Sequence, residues 1–255
     1  MTTWIGVSLK MYFSHERTRG WCDAVHEVAS RDRAVVEGAT ELVVLPTFVS
    51  IPLALDAFAG TGVRVGAQDV AAEEAGAWTG EVSASELHEV GCRYVEVGHA
   101  ERRRHFSESP AVVAAKVRAA WRHGLSPVLC VGEPERVGAD LALKGVTEEV
   151  RSALEPARAA GLEGHLVVAY EPQWAIGQSA PAPIGHVVEV SAGLRELVVE
   201  EGISGRVVYG GSAGPGLLDD FGDAVDGLFL GRFAHDPDAL RDVLGEAARR
   251  SSAPA

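Results

Sequence analysis

Glu171 is the residue in this sequence whose type and setting best suit acid–base chemistry. It follows the apolar run Leu166–Tyr170 and precedes Pro172, which stops both sheet pairing and an immediate helix. A short apolar stretch, Trp174–Ile176, comes next and ends at a glycine. We interpret Glu171 as a base held at a strand end, and residues 172–182 as a lid that closes over a small substrate.

The elements that would position such a base alternate along the chain. Short β-branched runs alternate with longer stretches whose apolar residues have helical spacing. Eight such units predict an α/β fold, a single-domain (β/α)8 TIM barrel over residues 1–250, with 251–255 as a flexible tail. A doubly wound sheet is the competing arrangement, but no glycine-rich fingerprint follows the first strand. The predicted strands are Trp4–Leu9, Glu41–Leu45, Val63–Ala67, Tyr94–Val97, Pro127–Val131, Leu166–Tyr170, Arg206–Tyr209 and Gly227–Leu230, and the predicted helices include Ala114–His123, Val146–Ala159, Val187–Glu200 and Pro237–Ala248.

Composition excludes several classes of partner. The formal net charge of −13 argues against nucleic acid and against an anionic membrane surface. No apolar run approaches the ~20 residues of a membrane span, and residues 1–4 lack the features of a signal peptide. The three cysteines, Cys22, Cys92 and Cys130, are odd in number and have no metal-like spacing. We therefore expect reduced thiols and a cytoplasmic protein.

In a parallel barrel the active site lies at the carboxyl ends of the strands, so polar residues just after each strand are the candidates. Lys10 follows strand one and would neutralise an anionic substrate, although a solvated surface lysine is the plainer interpretation. His99 follows strand four at the start of a helix. The positive end of that helix disfavours the imidazolium, so His99 could work as a neutral donor, although a lone histidine is often structural.

Two glycine-containing turns follow the last two strands. They are Gly210–Gly216 and Gly231–Ala234, and their exposed backbone N–H groups predict a phosphate site. A long loop after strand three, residues 68–81, is either functional or an acidic surface loop. After strand five, we interpret Cys130 as a small buried residue and Glu133 as a supporting one.

Together these segments resemble the triosephosphate isomerase family over nearly the whole chain. The matching stretches are Lys10-Met11, Gly66-Ala67-Gln68, Ala77–Glu81, Val97–Arg103, Cys130–Glu133, Ala169–Pro172, Trp174–Gly177 and Tyr209–Ser212. The resemblance implies a homodimeric (β/α)8 enzyme with no cofactor and no metal. Its small phosphorylated sugar substrate would pass between aldose and ketose through an enediolate, as in glycolysis and gluconeogenesis.

The resemblance also implies a role for each candidate residue. Glu171 would be the base, His99 the neutral electrophile, Lys10 the counter-charge and Glu101 its partner. The pairing of a glutamate base with a neutral histidine is the family's own worked arrangement and is taken over with the resemblance. The substrate and its phosphate would be bound by Ser8, Gly177, Ser212, Gly231 and Arg232.

Further residues would close or support the site. Pro172, Trp174 and Ile176 would belong to the lid, which excludes water from the enediolate. The loop around Thr79 would dock into a partner subunit next to its active site, and Gln68 would support the same region.

Four positions depart from the usual family pattern. Ser8 stands where an asparagine is usual, and Ala100 stands where a serine follows the histidine. Arg232 replaces the second of two glycines, and the lid ends in Gln178–Pro183, whose two prolines would stiffen it. Ser8 and Arg232 together resemble a side branch that isomerises four-carbon erythrulose phosphates. The serine is smaller than the usual asparagine and would leave room for one hydroxymethyl group.

Three functions therefore stay open. We expect interconversion of glyceraldehyde 3-phosphate and dihydroxyacetone phosphate, with the same chemistry on L-erythrulose 1-phosphate as the alternative. A non-catalytic barrel that binds a phosphorylated metabolite is the third. A protein that only binds a metabolite would not need a base and an electrophile together, so the presence of both argues against this third function.

Overall fold

A computed structural model describes residues 2–178 and 180–252. Within them, eight parallel strands close into a barrel in sequence order, and β1 pairs with β8 to complete the circle. This confirms the predicted (β/α)8 fold, and each predicted strand is present to within about a residue or two. The strands are β1 (Thr3–Ser8), β2 (Thr40–Leu45), β3 (Arg64–Ala67), β4 (Tyr94–Val97), β5 (Ser126–Val131), β6 (His165–Tyr170), β7 (Ser204–Tyr209) and β8 (Gly227–Leu230).

Ten α-helices surround the barrel in the described part of the chain, and none of them is long and apolar enough to cross a membrane. They are α1 (His15–Arg31), α2 (Arg33–Val36), α3 (Ile51–Ala57), α4 (Ala84–Val90), α5 (Ala100–Phe106), α6 (Pro110–Arg122), α7 (Ala139–Ala159), α8 (Ile184–Glu200), α9 (Leu217–Phe221) and α10 (Pro237–Ser252).

Helix ends differ most from the sequence prediction. Helix α6 begins four residues before the predicted Ala114, where Pro110 takes the first turn and the Ser109 hydroxyl accepts from the Val112 N–H. Helix α10 continues to Ser252, so the first two residues of the predicted tail are helical. The Ser251 hydroxyl donates to the Ala39 carbonyl, and residues 253–255 lie outside the described part.

The interior of the barrel is filled by alternate residues of the strands. Its buried apolar cluster consists of Trp4, Val43, Leu45, Tyr94, Val128, Cys130, Val167, Ala169, Val208 and Phe229. Because successive strand residues point to opposite faces, the same inward face continues to Ser8 on β1, Glu96 on β4 and Glu171 after β6. The apolar plug thus ends, at the carboxyl side of the barrel, in a polar layer.

The ends of β5 and β6 approach each other closely at this layer. The Glu171 N–H donates to the Val131 carbonyl at 2.8 Å. A Cβ atom on the next residue, Gly132, would lie 2.0 Å from the Glu171 carbonyl oxygen. Only glycine fits there, and the main chain of Glu171 is fixed by that contact.

We expect Gly132→Ala to destabilise the protein by about 2–3 kcal/mol, because the added methyl group must push two strand ends apart. Urea unfolding checks this. Gly138→Ala is the matched control, since a Cβ there has nothing within 4 Å and the backbone has an ordinary negative φ. Equal midpoints for the two variants would contradict the assigned role of Gly132.

Candidate active site

Glu171 lies in a buried pocket at the top of the barrel. Its side chain is only about 4% exposed, and its Oε2 atom has no hydrogen-bond partner within the described residues. A Cβ atom on Gly210 would lie 2.5 Å from Glu171 Oε1, so the glycine leaves room for the carboxylate. Burial raises the pKa of Glu171 to about 8, and the charge of Glu96 acts in the same direction.

His99 faces this carboxylate as a neutral imidazole. It is the N-cap of α5, and its Nδ1 accepts a hydrogen bond from the Glu101 N–H at 3.1 Å. Nδ1 is therefore unprotonated and Nε2 carries the proton, pointing toward Glu171 Oε2 at 3.4 Å. Burial lowers the pKa of His99 to about 4, and the positive charge of Lys10 adds to this. The sequence predicted a neutral His99 because of the positive helix end, whereas in the structure burial is the main cause of the lowered pKa.

Lys10 is held at the mouth by its side chain and by its backbone. Its Nζ donates to Glu101 Oε1 at 2.8 Å. Burial acts to lower the pKa of Lys10, but the hydrogen bond and charge of Glu101 and the charges of Glu171 and Glu96 raise it overall. The backbone adopts a left-handed φ of 48°, which is strained for a residue with a side chain. The Gln68 amide donates to the Lys10 carbonyl at 3.2 Å and stabilises that conformation.

Charges, rather than apolar packing, position the helix that carries Glu101. Helix α5 has no buried residue. Arg102 instead contacts Asp69 at 2.7 Å and Glu108 at 2.6 Å, and buried Lys116 bridges the same two carboxylates. This four-residue cluster, the α5 charge network, ties α5 to the loop after β3 and to α6. Sequence reasoning missed it, because its partners are far apart in the chain.

The lid lies over the open carboxyl end of the barrel, the mouth, and makes hydrogen bonds to it at several points. Trp174 Nε1 donates to Glu133 Oε1 at 2.8 Å. The Ser212 hydroxyl donates to the carbonyls of Ala175 and Gln178. At the far end, the buried hydroxyl of Tyr209 accepts from the Ala182 N–H at 3.0 Å. These contacts fix the lid on strands five and seven; Ser179 lies outside the described residues.

The mouth under the lid is small, at about 100 Å³. It is lined by Lys10, Glu101, Ile176, Gly177, Ser212, Gly231 and Arg232, among others. Four of the five residues expected to bind substrate and phosphate therefore meet there, and the fifth, Ser8, is buried and bonded to Glu96. The exposed Arg232 side chain donates to the Gly177 carbonyl at 3.1 Å and so connects strand eight to the lid. A larger groove of about 540 Å³ lies at the opposite end of the barrel, near the starts of β6 and β7.

Three predicted residues lie outside this cluster or hold it indirectly. Thr79 is exposed on the loop between β3 and α4. Glu133 supports the lid, since it also accepts from the buried Tyr170 hydroxyl. Pro172 begins the short turn that carries Trp174, and its carbonyl accepts from Ala175.

Glu96 is the site residue that sequence reasoning missed. It is about 4% exposed in β4, accepts a hydrogen bond from the Ser8 hydroxyl at 2.9 Å, and lies 3.9 Å from His99 Nε2. Burial raises its pKa to about 7. The available signal was a single carboxylate in an otherwise apolar four-residue strand.

The arrangement can move a proton between adjacent carbon atoms. A buried carboxylate of raised pKa is a competent base near neutral pH. A neutral imidazole N–H beside it can donate to a carbonyl oxygen, and Lys10 provides the compensating positive charge. No group of three or more His, Cys, Asp or Glu side chains in residues 2–178 and 180–252 is arranged to hold a metal ion.

Comparison with known proteins agrees with this chemistry. The family model described as triosephosphate isomerase matches residues 3–247. The chain belongs to the triosephosphate isomerase family, and it is an isomerase.

Within the triosephosphate isomerase family, the chain is similar to proteins with two different names. It is 50% identical to the L-erythrulose-1-phosphate isomerase of Pectobacterium atrosepticum over 97% of this chain and 96% of that protein. It is 35% identical to the L-erythrulose-1-phosphate isomerase of Brucella abortus over 98% of both chains. It is also 38% identical to the triosephosphate isomerase of Aquifex aeolicus over 80% of this chain and 85% of that protein.

The raised pKa of Glu171 makes stability depend on pH. Between its ordinary value of 4.5 and its folded value of about 8, the folded protein binds this proton more tightly than the unfolded chain. Stability therefore falls as pH rises through that window. We expect Glu171→Gln to be more stable than the wild type by about 2–3 kcal/mol at pH 8.5, and nearly equal to it at pH 5.

Urea unfolding of both proteins at the two pH values measures this difference. Glu101→Gln is the control of opposite sign. Although burial acts to raise the pKa of Glu101, Lys10 lowers it overall, so its ionised form stabilises the fold above pH 4.5. If Glu171→Gln is no more stable than the wild type at pH 8.5, ionisation of Glu171 does not destabilise the folded protein.

Proposed function

We propose that this protein isomerises L-erythrulose 1-phosphate to D-erythrulose 4-phosphate. The observation that carries the proposal is the 3.4 Å contact between a buried carboxylate, Glu171, and the Nε2–H of a neutral His99. The similarity at 50% identity to a protein named for the four-carbon substrate supports this choice of sugar. The sequence alone favoured the three-carbon reaction, and this similarity reverses that preference.

The reaction moves a ketone by one carbon. L-erythrulose 1-phosphate carries its ketone at C2, a hydroxyl group at C3 and a hydroxymethyl group at C4. Glu171 removes the proton from C3 while His99 Nε2–H donates to the C2 oxygen, which gives an enediolate. The hydroxyl proton then moves between the two oxygens, and Glu171 returns its proton to C2. The ketone is now at C3, and no atom is gained or lost.

The electrostatics of the site suit the intermediate. Formation of the enediolate adds negative charge to a molecule whose phosphate group is already negative. Lys10 lies against this charge, and its raised pKa keeps it protonated. A neutral imidazole is a better match than an imidazolium for an oxygen that must gain and lose a proton in turn. Glu101 holds Lys10 and, through its N–H, the tautomer of His99.

The phosphate group would lie between the lid and the last two strands. Backbone N–H groups of Gly177, Ser212 and Gly231 would bind its oxygens, and Arg232 would add a positive charge. Pro172, Trp174 and Ile176 belong to the lid above it. A closed lid keeps water away from the enediolate and protects it from losing phosphate.

A three-carbon substrate remains the second candidate. The similarity at 38% identity to a protein named triosephosphate isomerase favours it, and the same base, electrophile and counter-charge would serve. The two substrates differ only by the hydroxymethyl group on the carbon that loses its proton. A phosphate-binding barrel without chemistry would not need a buried base.

We expect kcat/KM for L-erythrulose 1-phosphate to exceed that for glyceraldehyde 3-phosphate by about a hundredfold or more. Such a gap corresponds to about 3 kcal/mol of transition-state binding. Steady-state assays of the purified protein with both sugars measure it. Glu171→Gln should abolish most turnover of the preferred sugar while still binding a phosphate-bearing inhibitor. A preference for glyceraldehyde 3-phosphate would assign the three-carbon reaction instead.

A homodimer is part of the same proposal. The loop after β3 extends from the barrel, and Trp78 near its tip is 53% exposed. Met11, beside Lys10, is 90% exposed, and Val49 is 79% exposed. Large apolar side chains exposed to this degree near one end of a barrel support burial against a second copy. The three buried free cysteines support a cytoplasmic location, which stays a prediction.

We expect the protein to sediment as a dimer at micromolar concentration. Replacing Trp78 by Asp should shift it toward monomer, because a carboxylate would be buried in the interface. Val199→Asp is the control, since Val199 is also exposed, at 79%, but lies on α8 at the outer surface. Sedimentation velocity distinguishes the species. A fully active wild-type monomer would contradict the docking of the loop around Thr79.

A further inference from the structure

The mechanism above gives no task to Glu96, a buried carboxylate of the barrel interior. Glu96 lies on the inner face of β4, two residues beyond Tyr94, in the polar layer that caps the apolar plug of the barrel. No lysine or arginine nitrogen lies within 4.0 Å of it in the described part of the chain; its nearest charged-type neighbour is His99 Nε2. A carboxylate in such a place is costly unless it has partners.

Glu96 has one strong hydrogen bond, and that bond fixes its direction. The Ser8 hydroxyl donates to Oε2 at 2.9 Å. The other oxygen, Oε1, faces His99 Nε2 at 3.9 Å. That nitrogen is also 3.4 Å from Glu171 Oε2. A substrate oxygen that accepts from Nε2–H therefore lies between two carboxylates, one on the base side and one on the floor of the site.

The chemistry of the four-carbon substrate determines what reaches this floor. Its phosphate belongs at the mouth, beside Gly177 and Arg232, and its reacting carbons belong beside Glu171 and His99. The hydroxymethyl group is on the far side of the reacting carbons from the phosphate. We place it deeper in the barrel, next to the polar side chains of Ser8 and Glu96, which are about 2% and 4% exposed.

We infer that Glu96, oriented by Ser8, accepts a hydrogen bond from the terminal hydroxyl of the sugar phosphate and thereby selects a four-carbon substrate. The inference rests on the proposed isomerase function. A carboxylate is an acceptor with several lone pairs, so it can bind the substrate hydroxyl and the Ser8 hydroxyl together. A sugar phosphate without that hydroxyl leaves the buried group short of a partner, which is how polar sites reject smaller analogues.

The test compares two substrates in variants of the whole protein. Glu96→Leu keeps the volume and removes the acceptor. We expect its kcat/KM for L-erythrulose 1-phosphate to fall at least about a hundredfold more than its kcat/KM for glyceraldehyde 3-phosphate. Glu96→Gln retains an acceptor oxygen and should recover part of that loss. Ser8→Ala should change the ratio in the same direction by about tenfold, because Glu96 loses its orienting partner.

A third substrate distinguishes recognition of the hydroxyl from other effects of the substitution. The 4-deoxy analogue of L-erythrulose 1-phosphate has a methyl group in place of the hydroxymethyl group. The wild type should discriminate against it by about a hundredfold, whereas Glu96→Leu should treat the two sugars alike to within about threefold. A carboxylate that acts only through the fold, or only on the pKa of Glu171, would change all three rates together.

The controls separate the possible failures. Glu41→Gln replaces a carboxylate at the opposite end of the barrel, where Glu41 binds Tyr94 and Arg206, and it should leave the substrate ratio unchanged. If Glu96→Leu does not fold, the inference is still tested by Glu96→Gln and by the activity of the wild type on the deoxy analogue. Wild-type turnover of the four-carbon sugar with no change of ratio in any Glu96 variant overturns this inference alone. A wild type inactive on that sugar but active on glyceraldehyde 3-phosphate overturns the proposed substrate and the inference with it.

Discussion

The burial of the Glu171 carboxylate is the constraint on which the rest of the site depends. A charge at the end of a closed barrel has apolar strands beneath it and a lid above it, so its ionised form is poorly solvated. That cost makes it a strong base. It also requires a neutral partner and a nearby cation, which are His99 and Lys10. A side chain at Gly132 would collide with the main chain of Glu171, and one at Gly210 would collide with its carboxylate.

The same constraint explains why the fold is predictable and the site only partly so. Strand positions follow from β-branched runs, and barrel closure follows from their number and alternation, so the eight strands were found. The start of α6 was missed because its first three residues, Pro110–Val112, are exposed and add nothing to the buried period that begins at Val113. Lys10, His99 and Glu171 were predicted as site residues because they stand just after strands, and Glu101 was predicted through the family resemblance.

Other features of the site depend on contacts that a single sequence does not reveal. Glu96 reads as one polar residue in a short strand, and only the inward alternation of β4 and the position of Ser8 on β1 bring the two together across 88 residues of chain. The left-handed backbone of Lys10 has no local signature; it depends on an amide from Gln68. The lid was found from Pro172 and Trp174, but its attachment to Tyr209 and Arg232 needed the fold.

The short helix α5 is positioned by ion pairs and has no buried residue of its own. Dissolved ions weaken the half-exposed pairs that Arg102 makes, more than the buried pairs between Lys116 and its two carboxylates, and a neutral solute screens neither. Guanidinium chloride is both a denaturant and an electrolyte, whereas urea is a denaturant alone. The helix that carries Glu101 is therefore held partly by forces that respond to ionic strength, and the eight strands beneath it by forces that respond mainly to the loss of apolar burial.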